Sequence, residues 1–173
     1  MSDFDELPYE LHTGHELRLM LEGIKPLACF SHEYPSAPCE EIIPDVAFQA
    51  HVESGRFLKR DYVELLVGAP PASRSHIRGV RHVFFSLPSE SWRIDAYIGM
   101  KAQAAVSGWS EEFERLEGRL LGYEDWQTDA WIAMLLARPQ SRSFPWLVRL
   151  ADKLRLPAGQ ACDAASGFDA RRV

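Results

Sequence analysis

The sequence predicts an α+β fold, with a small three-stranded sheet in the N-terminal half packed against a helical C-terminal half. Three observations lead there. Short apolar runs bounded by turn residues cluster before residue 88, and apolar residues at i, i+3 and i+4 spacing dominate after it. At 173 residues, with 46% hydrophobic and 25% charged side chains, the chain is long enough for one sizeable core and ordinary in composition. The predicted division is a single domain over residues 1–156 and a loosely ordered tail over 157–173, where "PAGQACDAASGFDARRV" is small, polar and without period.

The first element comes from "HTGHELRLMLEG". Thr13 and Glu16 have capping-box spacing, Leu17, Met20, Leu21 and Ile24 follow at helical intervals, and Gly23 supplies a stop, so a helix is predicted over about 14–22. "KPLACFSHE" reads as a buried strand near 26–32, with Cys29 in its apolar run, before the turn-rich "YPSAPCEEIIP". Asp45 then caps a second helix through "VAFQAHVES", ended by Gly55; the alternative is a hairpin turning at Ser54 and Gly55.

"RFLKRDYVELLV", 56–67, alternates as a strand with Phe57, Val63, Leu65 and Val67 on one face. "GAPPASRSHIRG", 68–79, is a loop, and "VRHVFFSL", 80–87, is the third strand. After Pro88, Ser89 caps a helix running toward Gly108, with one stripe of Trp92, Ala96 and Met100 and a second of Ile94, Ile98 and Ala102. Ser110 opens "EEFERLEGRLLG", whose Phe113, Leu116, Leu120 and Leu121 form an apolar face and whose acids suit the positive end of the helix dipole. Gly122 stops it; Asp125 caps the next helix, which runs to Ala137, and a last helix begins near Ser143. The predicted order is therefore α-β-α-β-β-α-α-α-α.

Charge is segregated along the chain. Residues 1–55 hold eleven acids against Arg18 and Lys25, 56–93 are basic, 94–137 acidic, and 138–155 basic again. Such blocks either cancel one another within the fold or present a partner-binding patch. The net charge of −6 argues against a general nucleic-acid binder. The acidic first twenty residues lack the pattern of a secretory signal, and no apolar run approaches the roughly 20 residues that span a bilayer. Cys29, Cys39 and Cys162 have no metal-like spacing and read as reduced thiols, so the cytoplasm is the expected compartment, with no membrane association.

No catalytic signature stands out. "HTGHE" places His12 and His15 three apart, not in the fixed i, i+4 geometry of a zinc-binding helix, and helix-start polarity accounts for both, so no metal and no cofactor is assigned. The chain contains neither a "GxSxG" elbow nor a phosphate-binding "GxxxxGK" loop. "RSHIRGVRH" gathers Arg74, Arg78 and Arg81, whose guanidinium groups suit an anion or an acidic partner; the alternative is a solvated arginine-rich loop. Arg93 and Asp95 in "SWRIDAY" suit either a buried ion pair or an anion site.

"LLGYEDWQTDAWIAML" packs two tryptophans and three acids into one short stretch. Trp126 and Trp131 are five apart and so point about 140° apart on a helix, which excludes a single aromatic platform. One belongs in the core and the other, Trp126, is a candidate contact residue. Asp129 has the least structural explanation. The leading expectation is a bacterial-type cytoplasmic interaction or regulatory domain that binds a protein partner or itself through segregated charge and exposed aromatics. A second is a small hydrolase or transferase with a polar cleft between sheet and helices, using Arg60, Arg93, Asp125 and Asp129 for binding and acid-base work. A third is anion or nucleic-acid binding through residues 74–81.

Overall fold

In a computed structural model of the chain, residues 7–38, 40–65 and 78–137 are described. Their order is α1 (Glu16–Leu21), β1 (Leu27–Tyr34), α2 (Asp45–Glu53), β2 (Leu58–Leu65), β3 (Gly79–Ser86), a 3-10 turn (Pro88–Glu90), α3 (Trp92–Ser107), α4 (Glu111–Leu121) and α5 (Asp125–Ala137). The three strands form one antiparallel sheet in the order β1-β3-β2. Register pairs Ser31 with His82 across β1 and β3, and Tyr62 with His82 across β2 and β3. The predicted α+β class is the observed one. Three expectations fall outside the described residues: the helix from Ser143, the 157–173 tail and most of the 68–79 loop.

Helices lie on both faces of the sheet, and strand alternation explains why. Successive side chains of a strand point to opposite faces. Ala28, Val83 and Phe85 point toward α1 and α2 and pack with Met20, Ile43, Phe48 and Phe57. Leu27 and Phe84 point the other way and pack with Ile94, Tyr97 and Met100 of α3 and Leu120 of α4. β3 is the middle strand and is almost continuously buried, as its "VRHVFFS" composition anticipates. The C-terminal helices thus cover one face, and the short N-terminal helices cover the other.

Local starts and stops depart from the sequence reading in instructive ways. Gly14 takes φ +86°, a left-handed value, so α1 begins only at Glu16; Thr13 does not cap it, although the Glu16 carboxylate accepts the Gly14 N–H at 2.9 Å. Residues 45–53 are helical rather than half of a hairpin. Asp45 is the first residue of α2, not its cap; Glu40, reaching back from the preceding turn, accepts the Val46 N–H at 2.8 Å. Ser89 lies inside the 3-10 turn and makes no cap. In α3 the buried stripe is Ile94, Tyr97 and Met100, while Trp92 is exposed. Phe57 precedes β2 and is fully buried, whereas Leu65 at the strand's far end is exposed.

α4 starts as read, with Ser110 Oγ accepting the Phe113 N–H at 3.4 Å, and it ends at Gly122, which takes φ +90°. Its inward face is not purely apolar. Glu114 and Glu117 are buried beside Leu120. Glu114 accepts indole N–H bonds from Trp109 at 2.7 Å and from Trp131 at 2.6 Å, and Glu117 accepts the Tyr97 hydroxyl at 2.6 Å. These aromatic donors make burial of the carboxylates tolerable, since an unbonded buried charge is costly. Where α4 meets α5, Gly118 provides the space: a Cβ there would lie 2.4 Å from Thr128 Oγ1.

The α4–α5 junction is seated on the N-terminal segment. Lys25, only 3% exposed, points its ammonium to the Leu121 carbonyl at 3.3 Å and to His12 Nδ1 at 3.5 Å, and lies 5.5 Å from the centre of the Tyr123 ring. The His12 ring stacks on Tyr123 at 3.9 Å, and its backbone N–H donates to the Tyr123 hydroxyl at 3.0 Å. Burial and the neighbouring Lys25 charge lower the His12 pKa to about 4, and burial raises that of Tyr123 to about 12. Gly122 is doubly required, because a Cβ there would sit 2.3 Å from Pro26 Cδ. Gly23 has φ +75° but open space around it. Gly23→Ala is therefore expected to cost about 1 kcal/mol, the left-handed penalty alone, and Gly122→Ala roughly 3 kcal/mol or more because Pro26 must also move. Urea denaturation of the two variants measures the difference; equal losses would contradict the close approach.

Candidate active site on the inner sheet face

The face of the sheet turned toward α3 carries a polar row amid apolar neighbours. Cys29 and Ser31 are two residues apart on β1 and so share that face. The antiparallel register sets His82 of β3 opposite Ser31, and Tyr62 of β2 on the far side of His82. Glu64, two residues beyond Tyr62, projects to the same face. Three strands therefore deliver a thiol, a hydroxyl, an imidazole and a carboxylate to one place.

The distances make them a connected chain. Ser31 Oγ lies 2.8 Å from His82 Nδ1, and Cys29 Sγ lies 3.9 Å from both that nitrogen and Ser31 Oγ. On the other side of the ring, His82 Nε2 lies 3.3 Å from Glu64 Oε2. The imidazole is 5% exposed and Glu64 29%, while Cys29 and Ser31 are half-buried. Rings of Tyr62 and Phe84 flank the imidazole at 6.2 and 6.1 Å and hold its plane.

Electrostatics follow from this wiring. Burial works against the imidazolium, but the hydrogen bonds to Cys29 and Glu64 outweigh it and keep the His82 pKa above its ordinary value. The same bond from His82, helped by the nearby Lys101 charge, holds Glu64 below the usual glutamate value despite its own desolvation. When His82 is neutral, the carboxylate selects the tautomer with the proton on Nε2. That leaves the Nδ1 lone pair facing the Ser31 hydroxyl and the Cys29 thiol. A base so oriented, with a hydroxyl on one side and a carboxylate on the other, can take a proton from that hydroxyl.

The residues singled out from sequence lie elsewhere. Arg60 pairs with Asp95 at 2.5 Å across the outer edge of the sheet, and Asp95 is 71% exposed. Arg93 pairs with Glu90 at 2.5 Å, donates to the Arg119 carbonyl at 2.7 Å and lies over the Trp92 ring. Asp125, the first residue of α5, binds Arg119 at 2.8 Å, and Asp129 pairs with Arg115, so both acids clamp α5 to α4. Trp126 is 48% exposed, donates to Glu124 at 2.7 Å and meets the Tyr9 ring edge-on at 5.5 Å. Arg81 pairs with Asp61. Arg78 is exposed at the start of β3, where its backbone N–H donates to the Tyr34 carbonyl at 2.8 Å; Arg74 falls outside the described residues. The structure brings Asp125 and Asp129 to one helix interface, and it does not bring them to Arg60 or Arg93.

Of the basic block of residues 56–93, Lys59, Arg60, Arg81 and Arg93 are each matched by a carboxylate among the described residues, Lys59 by Asp45 at 2.7 Å. His12 and His15 diverge, the first to Lys25 and Tyr123 and the second to Glu10. Among the described residues, no three His, Cys, Asp or Glu side chains gather to hold a metal ion, and no helix is long and apolar enough to cross a membrane. A shallow, mostly apolar concavity lies between α1 and α2, against Leu17, Leu21 and Phe48, on the opposite sheet face from His82. Comparisons of this chain with protein-family models, with curated proteins and with solved structures found no match.

Cys29, Ser31, Glu64 and His82 were not among the sequence candidates. The signal available was small: two small polar or thiol residues at i, i+2 in an apolar run, and a histidine inside "VRHVFF".

The pKa directions carry a stability consequence. His82, raised above 6.5, contributes stability that is fully present below pH 6.5 and is lost as pH climbs through its higher folded value. Glu64, lowered from 4.5, contributes stability that is present above pH 4.5 and is lost as pH falls through its folded value. The stability gap between the native chain and Glu64→Gln should therefore be widest between pH 4.5 and 6.5 and narrow on either side. Tryptophan-monitored denaturation across pH reads this directly, and a pH-independent gap would show that the pair does not form.

Proposed function

We propose that this chain is a small hydrolase or transferase that works through a covalent intermediate on Ser31, with His82 as general base and Glu64 as the group that orients it. One observation carries the reading: Ser31 Oγ, the His82 ring and the Glu64 carboxylate are linked in series, at 2.8 and 3.3 Å, on the sheet face that meets the helices. In this scheme Ser31 Oγ attacks a substrate carbonyl carbon as its proton passes to His82 Nδ1. The departing alcohol or amine takes that proton as its bond to the acyl carbon breaks. Water, or another acceptor, then gives a proton to Nδ1 and attacks the acyl group, and Ser31 recovers its hydrogen. Ser31 is preferred to Cys29 as nucleophile because it is more than an ångström closer to the base. The free Cys29 thiol supports a reducing, cytoplasmic setting.

Pairing of Lys59, Arg60, Arg81 and Arg93 with carboxylates of the fold weakens the case for a charge-driven partner surface. Partner binding or self-association stands as the second reading, and what favours it is Trp126, an exposed indole with Tyr9 beside it. Sedimentation over a concentration series separates the two, since Trp126→Ala should abolish any dimer and leave ester cleavage intact.

A fluorophosphonate probe tests the catalytic reading. It should label the native chain, with the adduct mapping to Ser31 by mass spectrometry, and Ser31→Ala should not react. His82→Ala should slow labelling by about 100-fold or more, within the range ascribed to a positioned base. The labelling rate should rise with pH through a midpoint above 6.5, because only neutral His82 accepts the proton, and Glu64→Gln should lower both midpoint and rate. Labelling that ignores His82, or that falls on no residue of this row, would sink the proposal.

A further inference from the structure

Among the described residues, Lys59, Arg60, Arg81, Arg93, Arg115 and Arg119 each have a carboxylate within ion-pair distance. No such pair forms among the described residues at Arg56, whose side chain donates to the Leu21 carbonyl, at the exposed Arg78, or at Lys101, and of these three Lys101 is the one whose charge acts on Glu64 and His82. Its position is set by α3. Tyr97 packs edge-on against Phe84 of β3 at 5.4 Å, and Lys101 follows one turn later on the same side of the helix. His82 precedes Phe84 by two residues on the same face of β3. α3 therefore carries Lys101 along the sheet toward the row of Ser31, His82 and Glu64. Its charge is felt at both Glu64 and His82. The ammonium lies 5.4 Å from the centre of the Trp109 ring, which steadies it without neutralising it.

We infer that the site takes an acyl donor bearing a negatively charged group, with Lys101 as the residue that recognises that group. The inference rests on the catalytic reading of Ser31 and His82. The half-buried Lys101 has part of its desolvation cost already met by the fold, so an anion brought beside the nucleophile gains a charge-assisted bond where water is partly excluded. A neutral acyl donor of the same length gains nothing there.

Two esters of equal chain length test it on the full-length chain: 4-nitrophenyl hexanoate and the mono-4-nitrophenyl ester of adipic acid, which ends in a carboxylate. The charged ester should be favoured by about tenfold or more in kcat/KM at low salt, and the preference should shrink as ionic strength rises. Lys101→Met should remove the preference, Lys101→Glu should reverse it, and Lys101→Arg should retain it. Circular dichroism confirms that the variants fold. Labelling of Ser31 by the fluorophosphonate without faster consumption of the charged ester, or a preference unchanged in Lys101→Met, overturns this inference alone. Failure of both esters together with failure to label Ser31 overturns the catalytic reading and this one with it.

Discussion

The architecture depends on the burial of β3 from both sides. A middle strand that is covered on two faces must divide its side chains between two cores, residue by residue. Val83 and Phe85 serve the layer beneath α1 and α2, and Phe84 serves the layer beneath α3 and α4. His82 falls by parity on the α3 side, where an unbonded imidazole would be costly. Its two nitrogens meet Ser31 and Glu64 from the two flanking strands, so pairing β1 and β2 to β3 both closes the sheet and completes the polar row.

The same economy appears in the helical layer. Glu114 and Glu117 look like solvent-facing acids in the first turns of an amphipathic helix, yet they face inward and accept bonds from Trp109, Trp131 and Tyr97. Polar groups on this side of the sheet are handled by pairing rather than by exclusion. Such pairing fixes orientation more narrowly than apolar contact does, because a hydrogen bond has direction and an apolar contact does not. The indole and phenol donors hold α4 in a set rotation against α3 and α5, and α3 in turn carries Lys101, whose ammonium lies against the Trp109 ring.

Much of the fold was legible because its signals are local. Among the described residues, period and punctuation placed the three strands and five helices within a few residues of their observed ends, and Gly23, Gly55 and Gly122 marked real turns. Errors arose where one residue outweighed a pattern, as when Gly14 delayed α1 or Glu40 took the capping role expected of Asp45. The polar row was illegible for a different reason. Ser31 and His82 are 51 residues apart, and Glu64 and His82 are 18 apart, so only strand order and register bring them together. A one-residue slip would send each side chain to the opposite layer. Asp129, which looked unexplained in the sequence, found an arginine partner one helix away, as did Asp125.

The seat of the α4–α5 junction has a consequence for the order in which the chain folds. His12 meets Tyr123 across 111 residues, and Lys25 meets Leu121 across 96. Contacts of such separation form late, since loop closure must come before they repay it. On the ribosome, where synthesis runs from the N-terminus, residues 12–26 emerge long before their seat exists. β1 must therefore wait for its neighbour β3, and the segment before it must wait longer still, for a glycine and a tyrosine at the end of α4. Completion of the native state is in this sense a C-terminal event, and a nascent chain halted short of residue 123 keeps a lysine and a histidine in water that the finished protein buries.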